Sequence, residues 1–185
     1  LYHPPKLASR LKQGEFGSYV LVVTRLEHVK RVDLAIEPFR HVKPPTRLLI
    51  AGDGSARTHL THYISRLALA DRVTLLGRVD DDELIDLYSG ALAVLFTPYD
   101  EDYGYVTLEA FLSRKGLITT RDAGGPLEFV TDGENGVVTE PAAEALSAAI
   151  NRLAANRREA RRLGANGYER ARMITWQGVI EALVA

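Results

Sequence analysis

The sequence predicts an α/β protein, a Rossmann-like, doubly wound parallel sheet of about six strands with helices at its C-terminal end. Three observations predict it. Apolar runs of strand length alternate with longer stretches of helical period. The runs are continuously apolar, the pattern of strands covered by helices on both faces and joined by crossovers, hence parallel. After the last run the chain holds only helix-like sequence, "PAAEALSAAINRLAAN", "RREARRLGANGYERARM" and "TWQGVIEALVA".

Taken in order, residues 1–17 carry Pro4, Pro5, Gly14 and Gly17 among polar residues and read as a lead-in or linker, which places the folded domain over 18–185. The strands follow as "YVLVVT" (19–24), "RLLIAG" (47–52), "VTLLG" (73–77), "ALAVLFT" (91–97), "GLITT" (116–120) and "GVVTE" (136–140). Between the first two, "KRVDLAIEPFRHV" sets Val32, Ile36 and Phe39 on one helical face, and Pro38 is expected to kink or end that helix. "ARTHLTHYISRLALA" brings Leu60, Ile64 and Leu67 onto one stripe, while "DDELIDLYSG" opens on aspartates suited to capping and stops at Gly90.

Of the 185 residues 46% are hydrophobic, enough for one domain with a single core. Formal charge is −1, from 23 basic and 24 acidic residues, so no overall field draws the chain to nucleic acid or to an acidic bilayer. The absence of cysteine removes disulfides, thiolate nucleophiles and the usual structural zinc sites, and fits a reducing, cytoplasmic setting. No apolar run reaches bilayer length.

In open sheets of this kind ligands sit beyond the carboxyl ends of the strands, so the loops after Thr24, Gly52, Gly77, Thr97 and Thr120 are expected on one edge. In "TPYDEDYGYVTLEA", Gly104 is expected to precede a helix starting near Tyr105, whose first N–H groups, on Tyr105, Val106 and Thr107, could receive phosphate oxygens. Glu101 stands before that anion site and Glu109 one turn inside the helix, so two carboxylates bracket it. An isolated pair at this spacing also reads as a loop glutamate and a salt-bridged helix glutamate. Arg25, directly after the first strand, and Lys30, at the start of the next helix, offer a planar fork and a point charge suited to a diphosphate, or else form solvated surface.

Gly52 and Gly54 follow the second strand, but Arg57 stands where the third glycine of a dinucleotide-binding loop belongs, which argues against NAD. Gly124 and Gly125 form either a tight turn or a backbone pocket for hydroxyl groups. The D-x-D of "VDDDELIDLY" reads as helix capping in preference to metal binding, and His59 and His62, with no third ligand near in sequence, read as surface. Arg152, Arg157, Arg158, Arg161, Arg162, Arg170 and Arg172 form a solvated face or, alternatively, a docking or lipid-head-group surface.

Together "TRLEHVKRVDLAIEPF", "LLIAGDGSART", "VTLLGRVDDDELIDLYSGALAVLFTPYDEDYGYVTLEAF" and "GLITTRDAGGPLEFVTDGENGVVTEP" resemble, over about residues 18–140, the C-terminal half of retaining glycosyltransferases of family 4. These are enzymes of the GT-B architecture related to bacterial mannosyl- and glucosyltransferases. The resemblance implies one half of a GT-B fold and a hexosyltransferase whose donor is a GDP- or UDP-linked sugar, used without a metal or other cofactor. It implies that Arg25 and Lys30 contact the donor diphosphate, with the amides after Gly104, on Tyr105 and Val106, assisting. Glu109 would hold the ribose hydroxyls, and Glu101 would lie by the transferred sugar near the reacting carbon, making Glu101, Arg25 and Lys30 the catalytic set. Gly77, Arg78 and Val79 would edge the base, and Gly54, Gly124 and Gly125 would border the cleft.

The same resemblance implies a longer polypeptide whose N-terminal domain binds a glycan or lipid-linked acceptor, with peripheral membrane association of the whole and no nucleic-acid partner. The fragment alone is expected to be inactive. Two departures stand out: Pro38 with "HVKR", where Lys-Gly is commoner, which bears on the aim of Lys30, and the lack of room in 185 residues for the acceptor-binding domain, so that the chain reads as an excised donor-binding domain. A nucleotide-sugar epimerase and a non-catalytic nucleotide-sugar-binding module are the alternatives on this architecture. The pairing of "EDYGYVTLE" with "TRLEHVK" favours transfer, and the presence of Glu101 and Lys30 favours catalysis.

Overall fold

Six parallel strands form one sheet: β1 (Tyr19–Val23), β2 (Arg47–Ala51), β3 (Val73–Gly77), β4 (Ala93–Leu95), β5 (Leu117–Thr120) and β6 (Gly136–Thr139), in the order β3-β2-β1-β4-β5-β6. The structure is a computed structural model and describes residues 17–174. The lead-in expected before Gly17 and the last helix expected over 175–185 lie outside the described residues.

The apolar runs became strands because both sides of each are buried. Val20 and Val22, Leu48 and Ile50, Ala93 and Leu95, and Ile118 point into one hydrophobic cluster. Their neighbours Leu21, Leu49, Val94 and Leu117 point into the other, which is the period-two alternation of a pleated strand with a core on each face. On the first face lie α1 (Val32–Ile36), α2 (Arg57–Arg66) and α6 (Ala143–Ala155), contributing Ile36, Leu60, Ile64, Leu146 and Ile150. On the second lie α3 (Asp81–Gly90) and α4 (Tyr105–Leu112), through Tyr88, Ala110 and Phe111. The long helix α7 (Arg157–Arg172) serves both, burying Leu163 with the first cluster and Ala171 with the second.

Local chemistry sets several boundaries. α1 gives way at once to a 3₁₀ turn over Glu37–Arg40 with Pro38 in its first turn, so the proline ends the α-helix as expected. Leu67 caps α2 instead of continuing it. Asp80 is the N-cap of α3: its Oδ1 accepts the Glu83 N–H at 2.8 Å, which identifies that aspartate cluster as capping. His59 and His62 are exposed. The run at 91–97 pairs as strand only over its centre, although bonds from Leu92 N–H to Tyr19 O (2.8 Å) and Phe96 N–H to Ile118 O (3.0 Å) extend the ladder at either end. A short helix, α5 (Pro126–Phe129), fills what read as a turn.

Two helical glycines let α7 approach the rest of the molecule. A Cβ on Gly164 would sit 2.0 Å from the Arg114 carbonyl oxygen, and one on Gly167 would sit 2.4 Å from the Phe111 ring. Several late arginines are tied to backbone: Arg157 donates to Gly17 O (2.7 Å) and Arg162 to Gly133 O (3.0 Å). Among the described residues no helix is long and apolar enough to cross a membrane.

The chain runs outward from β1 through β2 to β3 and then returns to place β4 on the other side of β1. That reversal leaves a crevice between β1 and β4 at their carboxyl ends, the place where such sheets take ligands.

Candidate functional site

At that crevice the structure has an open cavity of about 540 Å³. Its walls come from three loops and two helices. The segment after β1 contributes Thr24, Arg25 and Glu27, and the segment after β2 contributes Gly52, Asp53 and Gly54. Arg78 and Val79 follow β3, Leu84 comes from α3, and Val106 and Glu109 come from α4. Of the positions singled out in the sequence, Arg25, Gly54, Arg78, Val79, Val106 and Glu109 therefore meet around one space.

The fold of the first loops depends on Gly52. Its φ of +135° is a conformation that L side chains rarely adopt, and a Cβ there would fall 1.9 Å from the Thr24 carbonyl oxygen. The absent side chain lets the ends of β1 and β2 touch, and the Gly52 N–H then bonds to Gly77 O at 2.7 Å. Gly77 thus acts as a backbone tie at the cavity's edge, with Arg78 and Val79 turned onto the wall.

Glu109 is the half-buried carboxylate of the site. Burial pushes its pKa up, while a hydrogen bond from the Tyr88 hydroxyl to Oε2, 2.6 Å long, pulls it back down. Tyr88 is itself fully buried under α4. A half-buried carboxylate oriented by a phenol is well suited to accept hydroxyl protons from a polar ligand. Arg25 projects from the opposite wall with its side chain 73% exposed, and Nη1 lies 3.2 Å from Glu27 Oε1. So exposed a guanidinium is available to an anion entering the cavity.

Gly104 is the N-cap of α4 with φ +73°, packed so closely on Pro126 that a Cβ would lie 2.8 Å from its Cγ. The Thr107 N–H is taken by the Gly104 carbonyl at 2.8 Å. The anion-facing amides foreseen at this helix end are accordingly those of Tyr105 and Val106, not three in a row. Tyr105 is 71% exposed.

Lys30 and Glu101 do not line the cavity. They meet each other: Lys30 Nζ and Glu101 Oε2 form an ion pair whose side chains are only 16% and 20% exposed. Lys30 ends a short 3₁₀ turn, His28–Lys30, after β1, and Glu101 lies in the loop after β4, so the pair spans the switch point on the same edge as the cavity. Gly124 and Gly125 act on Glu101 from behind. Cβ atoms on them would lie 2.7 Å from the Glu101 backbone and 2.3 Å from the Asp102 carbonyl oxygen. With those side chains absent, the Glu101 N–H reaches Ala123 O (2.9 Å) and the Gly125 N–H reaches Glu101 O (2.6 Å). The double glycine seats the Glu101 segment and does not face the cavity.

Three residues that the sequence reading passed over hold this arrangement. Arg31, with φ +46°, reaches Asp122 with both Nη atoms, at 2.7 and 2.8 Å. The Arg31 guanidinium holds the Asp122 carboxyl at a pKa of about 2, well below the usual carboxylate range. Tyr88 is the third. Nothing in "KRVD" or "DLYSG" marks Arg31 or Tyr88 as more than a basic surface residue and a core aromatic, because their partners are 91 and 21 residues away.

Comparison with known proteins identifies the family and the fold. The family model described as "Glycosyl transferases group 1" matches residues 8–170. An exopolysaccharide phosphotransferase of Streptomyces coelicolor is 32% identical over 158 residues, covering 83% of this chain and 17% of that protein. The alpha-D-kanosaminyltransferase of Streptomyces kanamyceticus is 35% identical over 126 residues, covering 66% of this chain and 32% of that enzyme. The chain thus spans about a third or less of the length of these relatives. Among solved structures, Anabaena Alr3699/HepE in complex with UDP and glucose superposes with a TM-score of 0.83 at 26% identity, over 97% of this chain and 52% of that one. The six-stranded parallel sheet is that of a GT-B half, and this chain belongs to the glycosyl transferases group 1 family.

Proposed function

We propose that this chain is the donor-binding domain of a retaining hexosyltransferase. It holds a GDP- or UDP-linked sugar for transfer to a hydroxyl of a glycan or lipid-linked acceptor, which another domain of a longer, cytoplasmic and peripherally membrane-associated protein binds. The observation that carries this reading is the cavity at the switch point, where Arg25, Arg78, Val79 and the half-buried Glu109 share one space. The UDP and glucose bound by the Anabaena protein support the ligand class.

In this reading the base lies along Arg78 and Val79, and the ribose hydroxyls donate to Glu109, which Tyr88 orients. Arg25 and the amides of Tyr105 and Val106 take the diphosphate, and Lys30, which lies outside the cavity on the same edge and paired with Glu101, adds its charge where the diphosphate leaves the cavity. The bond between the anomeric carbon and the β-phosphate oxygen breaks with its electrons on the phosphate, and fixed cations and amides stabilise the charge that develops there. The acceptor hydroxyl bonds to the anomeric carbon on the face the phosphate leaves, and its proton passes to the leaving oxygen, so configuration is retained. Glu101 sits by the sugar, where a carboxylate holds hydroxyls and steadies oxocarbenium character.

Calorimetric titration with UDP, GDP and ADP tests the reading. One nucleotide is expected to bind saturably, and Arg25→Ala and Glu109→Gln are each expected to weaken it by about tenfold or more, the worth of a lost charge-assisted hydrogen bond. No binding of any of the three, by this chain and by a longer protein containing it, overturns the proposal.

A further inference from the structure

We propose that Arg31, clamped to Asp122, is a positioning residue that holds the Lys30–Glu101 pair in register across the switch point. Arg31 immediately follows Lys30 and sits in the left-handed backbone region, φ 46° and ψ 46°, which is unfavourable for a non-glycine L-residue. A side chain kept in a conformation better suited to glycine points to work done by that side chain. Its guanidinium donates from Nε to Thr97 O (2.9 Å) and from Nη2 to Pro98 O (2.6 Å) and Thr120 Oγ1 (3.0 Å). Both Nη atoms also reach the Asp122 carboxylate, and the fork lies over the Tyr99 ring at 5.5 Å. In return the Thr97 hydroxyl donates to the Arg31 carbonyl at 3.3 Å.

One side chain therefore fastens the loop after β1 to the ends of β4 and β5. Both members of the ion pair hang from those fastenings. Lys30 is the residue before Arg31, and Glu101 lies four residues beyond Thr97, in a segment where the Asp100 N–H bonds to Asp122 O at 3.0 Å and the Glu101 N–H to Ala123 O at 2.9 Å. Neither Arg31 nor Asp122 lines the cavity, and what joins them to the Lys30–Glu101 pair is chain adjacency and the backbone bonds of residues 100 and 101 to 122 and 123. The alternative is that the clamp is a strand-end staple with no bearing on Lys30 and Glu101.

The experiment has two arms. The first does not depend on the donor-binding reading: the coupling between Lys30→Met and Glu101→Gln in urea unfolding is measured by a double-mutant cycle in the parent chain, in Arg31→Gly and in Asp122→Asn. Glycine keeps the left-handed turn without strain, which separates positioning from folding. In the parent the two substitutions are expected to couple by about fivefold in the unfolding equilibrium constant, falling toward unity in both clamp variants. Coupling unchanged in Arg31→Gly and Asp122→Asn overturns the proposal.

The second arm rests on the proposed donor site. Arg31→Gly and Arg31→Lys are expected to weaken a nucleoside diphosphate by about tenfold while leaving the corresponding monophosphate within about twofold, because the base end keeps Arg78, Val79 and Glu109. Equal loss for diphosphate and monophosphate overturns the positioning role at the phosphates. Absence of nucleotide binding by the parent removes the donor-site reading alone, while the first arm still decides the clamp.

Discussion

Replacing a glycine inside a helix with alanine ordinarily stabilises a protein by about 1 kcal/mol. At Gly164, in the middle of α7, the opposite is expected. The added Cβ would meet the Arg114 carbonyl oxygen at 2.0 Å, its carbonyl carbon at 2.6 Å and Lys115 Cα at 3.1 Å. These are backbone atoms that no rotamer change can move. Normal contact requires more than 1 Å of additional separation, so α7 must shift as a body, taking with it the fully buried Leu163 and the Gly167 contact on Phe111. Overpacking of this kind costs about 1–3 kcal/mol, and a clash with rigid backbone belongs near the top of that range. Subtracting the propensity gain of about 1 kcal/mol leaves a net loss of about 1–2 kcal/mol. With an m-value of about 2 kcal/mol/M for a chain of this size, the urea midpoint should fall by about 0.5–1 M. The assay is urea unfolding of the 185-residue chain followed by circular dichroism, with Ala165→Gly, at an exposed position of the same helix, as the propensity control. A Gly164→Ala midpoint at or above that of the parent, with Ala165→Gly costing its expected ~1 kcal/mol, would refute the close approach of α7 to the Arg114 turn.

Three further outcomes follow from the site. Tyr88→Phe should cost about 1.5–3 kcal/mol at pH 7, because it strips the half-buried Glu109 carboxylate of its phenol donor. Since burial raises the Glu109 pKa, stability from this group is fullest below its unfolded pKa and is lost as pH rises through the folded one, so the Tyr88→Phe deficit should shrink when unfolding is repeated near pH 4.5. Asp122 behaves with the reverse sign. Its carboxyl is lowered from 3.8 to about 2, so the stabilisation it provides is complete above pH 4 and lost as pH falls toward 2, and the stability gap between the parent and Asp122→Asn, measured by urea unfolding, should narrow over that window. Gly52→Ala, with a Cβ 1.9 Å from Thr24 O at φ +135°, should destabilise by at least about 3 kcal/mol, read as a lowered Tm.

How the site was legible varies residue by residue. Arg25, Arg78, Val79, Val106 and Glu109 could be placed on one edge from sequence because each lies just after a strand or within the first turns of the helix that follows one, and a parallel sheet brings all such points to the same side. The mutual pairing of Lys30 and Glu101 was not legible, since a lysine and a glutamate 71 residues apart carry no mark of one another. Gly124 and Gly125 were read as a turn or a hydroxyl pocket, and the contacts that require their bareness, with Glu101 and Asp102, exist only after β4 and β5 are side by side. Arg31 stands where the family resemblance led to the expectation of a glycine after the lysine of the first motif. Its backbone still adopts the glycine-like conformation, at φ 46°, and the reason lies in five hydrogen bonds to residues 66 to 91 positions away.

By itself the sequence determined the α/β alternation, the parallel sheet, the capping of α3 by an aspartate of its D-D-D run and the edge on which ligands are sought, because each rests on short-range periodicity or on a cap a few residues from its partner. The tertiary structure alone decided which carboxylate is half-buried beside a phenol, which is paired with a lysine, and which arginine fastens the loops together. Those outcomes depend on side chains brought together by strand order, and strand order is set by the packing of two cores on opposite faces of one sheet, a property that no single segment of the chain contains.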